Sequence, residues 1–257
     1  TPCVDSTCIA PSIISTKRFD ITRPRPVPPC TRVVELSGTD ARALNATLIP
    51  DAPDLIVTDV SFISLAKALP GQVLAEGAAA LWNIHMSVRP VQGRAGRRAE
   101  ILMFNSGGMG ARPAQDGLAA TAFPSGVMTM PIEATEQTGP VVIWRKELRP
   151  DSGGDGEFRG GLGQIIEIEP AQGHEFDFSA MFDRTRIAPR GRDGGQDGAK
   201  GAAMLEDGTA LNPKGWQHVP AGRRLVLHLP GGGGFGDPAQ RDPAARAADV
   251  AKGYVTK

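Results

Sequence analysis

A chain of 257 residues with 40% hydrophobic content can bury a core in one large or two small domains, which excludes a scaffold held together only by disulfides or metals. Lys+Arg 28 balances Asp+Glu 28, so neither a basic face for nucleic acid nor an acidic face for cationic partners is expected, and a small molecule is the favoured ligand. No apolar run approaches the roughly 20 residues that span a bilayer, and the N-terminus lacks the charged-then-apolar layout of a secretory signal; a cytoplasmic protein with no membrane association is the expectation.

Residues 1–31 read as an irregular arm, because Pro24, Pro26, Pro28 and Pro29 interrupt any period of 2 or 3.6. Cys3, Cys8 and Cys30 all fall in this arm, and an odd number argues for ordinary thiols rather than a disulfide framework. A short helix is expected from Asp40 to Leu48, then a buried strand at Pro53-Asp-Leu-Ile-Val-Thr-Asp59 that ends in an acid. After Pro70 glycine-rich turns separate short strands, in line with Gly 32 and Pro 22 in the whole chain.

Pro131 suits a helix start. Val141-Val-Ile-Trp144 and Gln164-Ile-Ile-Glu-Ile-Glu169 read as strands. Phe176, Phe178, Ala180 and Phe182 alternate with polar or small residues, as do Leu225, Leu227 and Leu229, which is the period of half-buried strands. Asp242 is placed to cap a helix begun by Pro243 and closed by Gly253. The expected fold class is mixed α/β, strand-dominated in its C-terminal part, rich in loops and glycine.

Several residue patterns could carry chemistry. Gly107, Gly108 and Gly110 permit a tight turn that either serves packing or offers N–H groups to a substrate carboxylate or oxyanion, with Arg112 beside them. Glu133 and Glu136 lie three apart, which suits acid–base work on one helical turn or, for Glu133, simple interaction with the helix dipole. Asp151, Asp155 and Glu157 among glycines form a candidate loop for a divalent cation, calcium or manganese. Arg159 could hold a carboxylate bidentately or pair with Asp151. His85, His174, His218 and His228 have no short metal-ligand spacing, and no Gly-x-Ser-x-Gly elbow is present.

One ordered series of motifs stands out: Gly107-Gly-Met-Gly-Ala-Arg-Pro113 with Asp116-Gly117, Pro131-Ile-Glu-Ala-Thr-Glu136, Asp151-Ser-Gly-Gly154, Phe158-Arg-Gly-Gly-Leu-Gly163 and Pro230-Gly-Gly-Gly-Gly-Phe-Gly-Asp-Pro238. Arg241-Asp-Pro243 and Asp249-Val250 close it. In this series residues 71–257 resemble the C-terminal part of the hydantoinase B/oxoprolinase family. The resemblance implies hydrolysis or carboxylation of cyclic amides and ketones, often with a partner subunit that uses ATP, and it implies that the family's metal-binding segment lies in an N-terminal half outside this chain. Residues 32–70, through Pro53-Asp-Leu-Ile-Val-Thr-Asp-Val-Ser-Phe-Ile-Ser-Leu65, resemble hemolysin-type ribosomal RNA methyltransferases, with Asp59 at a family active-site position. No glycine-rich cofactor turn precedes Asp59, so binding of S-adenosylmethionine is not expected.

Three segments follow: the arm at 1–31, a methyltransferase-like piece at 32–70 and the hydantoinase B-like domain at 71–257, joined as in a chimeric, truncated reading frame. The expected function is that of a hydrolase-derived protein opening a small cyclic amide such as a hydantoin or 5-oxoproline, or, as a lactonase, a lactone. The alternative is a non-catalytic remnant that forms a homo-oligomer or binds a partner.

Overall fold

Alternation of apolar and polar residues builds the strands of this protein, whose structure is a computed structural model describing residues 33–35, 55–57, 73–122, 126–127 and 129–256. The chain divides into two units, Thr1–Ala68 and Leu69–Lys257. In the first, β1 (Val33–Glu35) pairs in parallel with β2 (Leu55–Val57). The strand expected at 53–59 is thus present at its apolar centre. The helix expected at 40–48, the arm at 1–31, its cysteines and Asp59 lie outside the described residues.

The second unit holds two antiparallel four-stranded sheets. One orders β4 (Ala99–Asn105), β3 (Trp82–Pro90), β7 (His174–Met181) and β9 (Lys214–Val219). The other orders β5 (Val141–Leu148), β6 (Gln164–Pro170), β10 (Leu225–His228) and β8 (Ala202–Leu205). A single apolar cluster takes side chains from all eight strands, so the sheets pack as a sandwich with the core between their inner faces. On β3 the inner set is Trp82, Ile84, Met86 and Val88, on β7 it is Phe176, Phe178 and Ala180, and on β10 Leu225 and Leu227. Trp82 stacks on Phe182 at 4.2 Å between ring centroids, and each such buried side chain contributes about 1.5–3 kcal/mol of transfer free energy.

The four strands expected from local pattern are present, and β5 and β6 run further than their apolar cores. Trp144, in the expected strand, is 60% exposed; the pairing of β5 with β6 shifts register between Ile143 and Arg145. Its indole N–H donates to the Glu169 carboxylate at 2.6 Å, and the Arg224 guanidinium lies over its ring. Helix α1 (Ile132–Thr138) follows Pro131 as expected. Helix α2 (Pro243–Ala251) has Asp242 accepting from the Ala244 N–H at 3.0 Å, and Gly253 past its end has φ +69°, which its lack of a Cβ permits.

Candidate functional site

The loops between the strands meet in one mass of glycine backbone. Gly108 N–H donates to the Pro230 carbonyl at 2.9 Å, Gly161 N–H to Met109 at 2.8 Å, Gly232 N–H to Gly161 at 2.8 Å, and Gly154 N–H to Gly232 at 2.8 Å. Ala111 N–H reaches Gly233 O at 2.9 Å. Three segments far apart in sequence, 108–111, 154–161 and 230–233, therefore lie close enough to exchange backbone hydrogen bonds as the strands of a sheet do. Only glycine permits this spacing: a methyl group at Gly108 would sit 1.9 Å from the Gly161 carbonyl oxygen, and one at Gly160 1.9 Å from that of Gly232. Buried N–H and C=O groups must be paired, and here they pair with each other.

Beside this mass lies a buried cluster of charge. The Arg241 guanidinium forks onto both Asp116 carboxylate oxygens at 2.9 Å and reaches Asp249 Oδ2 at 2.5 Å. Arg159 Nε donates to the same Asp249 oxygen at 3.2 Å, its Nη1 to the Gly160 carbonyl at 2.6 Å, and its backbone N–H to Asp116 Oδ1 at 2.7 Å. The Tyr254 ring lies 5.4 Å from the Arg159 guanidinium carbon, and its negative face stabilises the cation. The Arg159, Arg241 and Asp249 side chains are 7, 8 and 10% exposed. Burial alone would push the Asp116 carboxyl up, but the hydrogen bonds and charges of Arg241 and Arg159 outweigh it and hold it below its ordinary range. Arg241 is held more basic than usual, chiefly through its hydrogen bonds to Asp116 and against the effect of burial.

This geometry assigns a place to each residue singled out by pattern. Gly107, Gly108 and Gly110 are buried in the loop mass, and the Gly108 N–H is engaged by backbone rather than open to an anion. Arg112 Nη2 donates to the Asp116 carbonyl at 2.8 Å. Glu136 accepts from the Ile143 N–H at 2.8 Å, while Glu133 is exposed. Arg159 pairs with Asp249, not with Asp151. Asp151 accepts from Thr256 N–H at 2.9 Å and Thr256 Oγ1 at 2.6 Å, which ties down the tail beyond α2. Asp155 is exposed, and Glu157 lends its carbonyl to Arg241 at 3.1 Å. Among the described residues no group of three or more His, Cys, Asp or Glu side chains is placed to hold a metal ion. Sequence reasoning misses Asp116, Arg241 and Asp249 as candidates although each sits in one of the motifs; opposite charges distributed over four motifs are the available signal.

An open cleft of about 470 Å³ adjoins the cluster, lined by Gln115, Asp116, Glu157, Phe158, Arg241 and Asp242 among others. It is the place where the cluster, through the partly exposed Asp116 side chain, meets solvent.

A glycine-packed loop mass locked by buried ion pairs, carried on a two-sheet sandwich, is the setting in which the motif series is used. Residues 52–238 match the hydantoinase B/oxoprolinase family model, and the chain belongs to this family. The match begins inside the segment expected to be methyltransferase-like, ahead of the boundary expected at Gly71. The chain is 31% identical over 212 residues to a protein assigned as a D-/L-hydantoinase subunit in Pseudomonas sp. (strain NS671), covering 78% of this chain and 34% of that protein. It is 39% identical over 136 residues to 5-oxoprolinase 1 of Arabidopsis thaliana, 51% of this chain and 10% of that protein. The crystal structure of the ATP-dependent caprolactamase from Pseudomonas jessenii matches with a TM-score of 0.65 and 30% identity, over 75% of this chain and 35% of that one. The chain thus spans about a third of the hydantoinase relative and of the caprolactamase chain. Among the described residues no helix is long and apolar enough to cross a membrane.

Proposed function

We propose that this chain takes part in the hydrolytic opening of small cyclic amides, as the sandwich-bearing portion of an assembly in which other polypeptide supplies the reacting groups. Hydantoin, 5-oxoproline and caprolactam, which appear in the names of its relatives, share a ring amide whose carbonyl must be polarised and attacked by water. The observation that carries the second half of the reading is the commitment of the candidate groups. The Gly108 N–H, the Arg159 guanidinium and the Glu136 and Asp151 carboxylates are each engaged within the fold. For Gly108 and Arg159, whose bonds are buried, serving a substrate would first break a buried hydrogen bond, at a cost of about 1–3 kcal/mol. Lactones fall within the same carbonyl chemistry. A cation on the loop of Asp151, Asp155 and Glu157 would have to share the Asp151 carboxylate with Thr256.

The test is association. The purified chain is mixed with an ATP-using partner subunit of a cyclic-amide hydrolase, and co-elution is followed together with ring opening of hydantoin, 5-oxoproline and caprolactam. Opening that needs the partner supports the reading. Full activity by the isolated chain would refute the assembly, and absence of both association and activity would refute the reaction. In that last case the alternative, a non-catalytic protein that self-associates or binds a partner, takes its place.

A further inference from the structure

The outer face of the sheet β4-β3-β7-β9 carries more apolar surface than the sandwich needs to expose. Its register lays out a cross-strand row of Leu102, His85, Ser179 and Trp216. The neighbouring row on the same face is Glu100, Ser87, Asp177 and His218. On the other side of the first row stand Phe104 on β4 and Met181 on β7. Leu102, Phe104, Met181 and Trp216 are 50, 41, 60 and 60% exposed. With large side chains of about 150–250 Å² each, their exposed parts amount to roughly 400 Å², a patch of the size that marks an interaction site. A stable interface of about 800 Å² per partner, a little over half of it apolar, requires about that much.

We propose that this face is an interface with a second copy of this chain, related by a two-fold axis that lies in the interface plane and runs along the strands between β3 and β7. Such an axis keeps each row at its own level and exchanges β4 with β9 and β3 with β7. Leu102 of one copy meets Trp216 of the other, and Glu100 meets His218. Asp177 meets Ser87, so no carboxylate of these rows faces another carboxylate. The arrangement of the rows selects this occupant. The first two rows carry complementary groups at their two ends, Leu102 with Trp216 and Glu100 with His218, which is what self-complementarity across a two-fold demands; in the third row Phe104 meets the stem of Lys214 and Met181 meets Asn83, at the border of the contact. The charged groups within and beside the patch are already partnered within one copy, His85 with Glu100 at 2.8 Å, His218 with Asp177 at 2.7 Å and Lys214 with Asp183 at 3.0 Å, so the apolar side chains can be covered without leaving an ion unpaired.

Sedimentation velocity over a concentration series tests this on the full 257-residue chain and on Leu102→Lys, Trp216→Glu, their equimolar mixture and the double variant. The unmodified chain is expected to be a dimer, and each single variant to dissociate with a Kd raised about tenfold or more. The mixture and the double variant are expected to recover dimer, because the introduced lysine then meets the introduced glutamate of the other copy. Circular dichroism spectra matching that of the unmodified chain, with a cooperative thermal transition, would show that the single variants fold, as substitutions at exposed positions should. A monomer at the highest concentration, a dimer indifferent to both substitutions, or a disrupted dimer that the combination fails to restore would each overturn the proposal.

Discussion

Replacing Asp249 with leucine removes the carboxylate that Arg159 and Arg241 share. Arg241 keeps its fork on Asp116, but Arg159 is left with the Gly160 carbonyl and the Tyr254 ring for a guanidinium that is 7% exposed. Breaking a buried pair by removing one partner costs about 3–5 kcal/mol, and the retained contacts put this case near the lower end. For a unit of this size each kcal/mol moves the melting temperature by about 2–4 °C, so a drop of about 6–12 °C is expected. Urea unfolding should show the same loss as a lower midpoint with an unchanged slope. The double variant Arg159→Met with Asp249→Leu should recover part of it, since the matched apolar replacement leaves no unpaired buried charge, Arg241 keeping its fork on Asp116. A loss below about 1 kcal/mol, the range of an exposed pair, or a double variant no better than the single one, would refute the view that these groups act as a buried cluster.

Asp116 has its folded-state pKa held below the unfolded value, so its contribution is fully present above the ordinary carboxylate range and is lost as pH falls through the depressed value. The urea midpoint should therefore fall on acidification, and Asp116→Asn should flatten that fall while lowering the plateau at neutral pH. Gly108→Ala should cost about 3 kcal/mol or more, because its methyl would meet the Gly161 carbonyl, whereas Gly208→Ala, with φ +86° and open space, should cost only about 1–2 kcal/mol of left-handed strain; equal losses in chemical denaturation would contradict the packing argument. Chelation should leave the melting temperature unchanged, since among the described residues no three acidic or histidine side chains converge on one point; a drop reversed by calcium or manganese would place a cation on the Asp151 loop after all.

Local rules make α2 legible, because its cap, its first-position proline and its closing glycine are all close in sequence. The alternation in β7 and β10 is equally readable. Trp82–Pro90 alternates as clearly, Trp-Asn-Ile-His-Met-Ser-Val-Arg, yet His85 and Arg89 dilute its apolar content and hide it. Strand β9 is harder: Trp216 faces outward and Val219 inward, so hydrophobicity alone gives the wrong face. The glycines mark a tight arrangement without showing whether their N–H groups face a ligand or each other. That depends on Gly108 meeting Pro230 and Gly161, which are remote in the chain. The pairing of Arg241 with Asp116 spans 125 residues and has no local signature.

The reaction is reached most directly by following ring opening of 5-oxoproline, hydantoin and caprolactam by mass spectrometry, for the chain alone and together with an ATP-using partner subunit. Linear product is expected from at least one ring only in the combined sample, and it should be lost in Asp249→Leu at temperatures where that variant has unfolded. Product formed at the same rate by the isolated chain, or none from any of the three rings with a partner that demonstrably binds, would contradict a role in an assembly that opens cyclic amides.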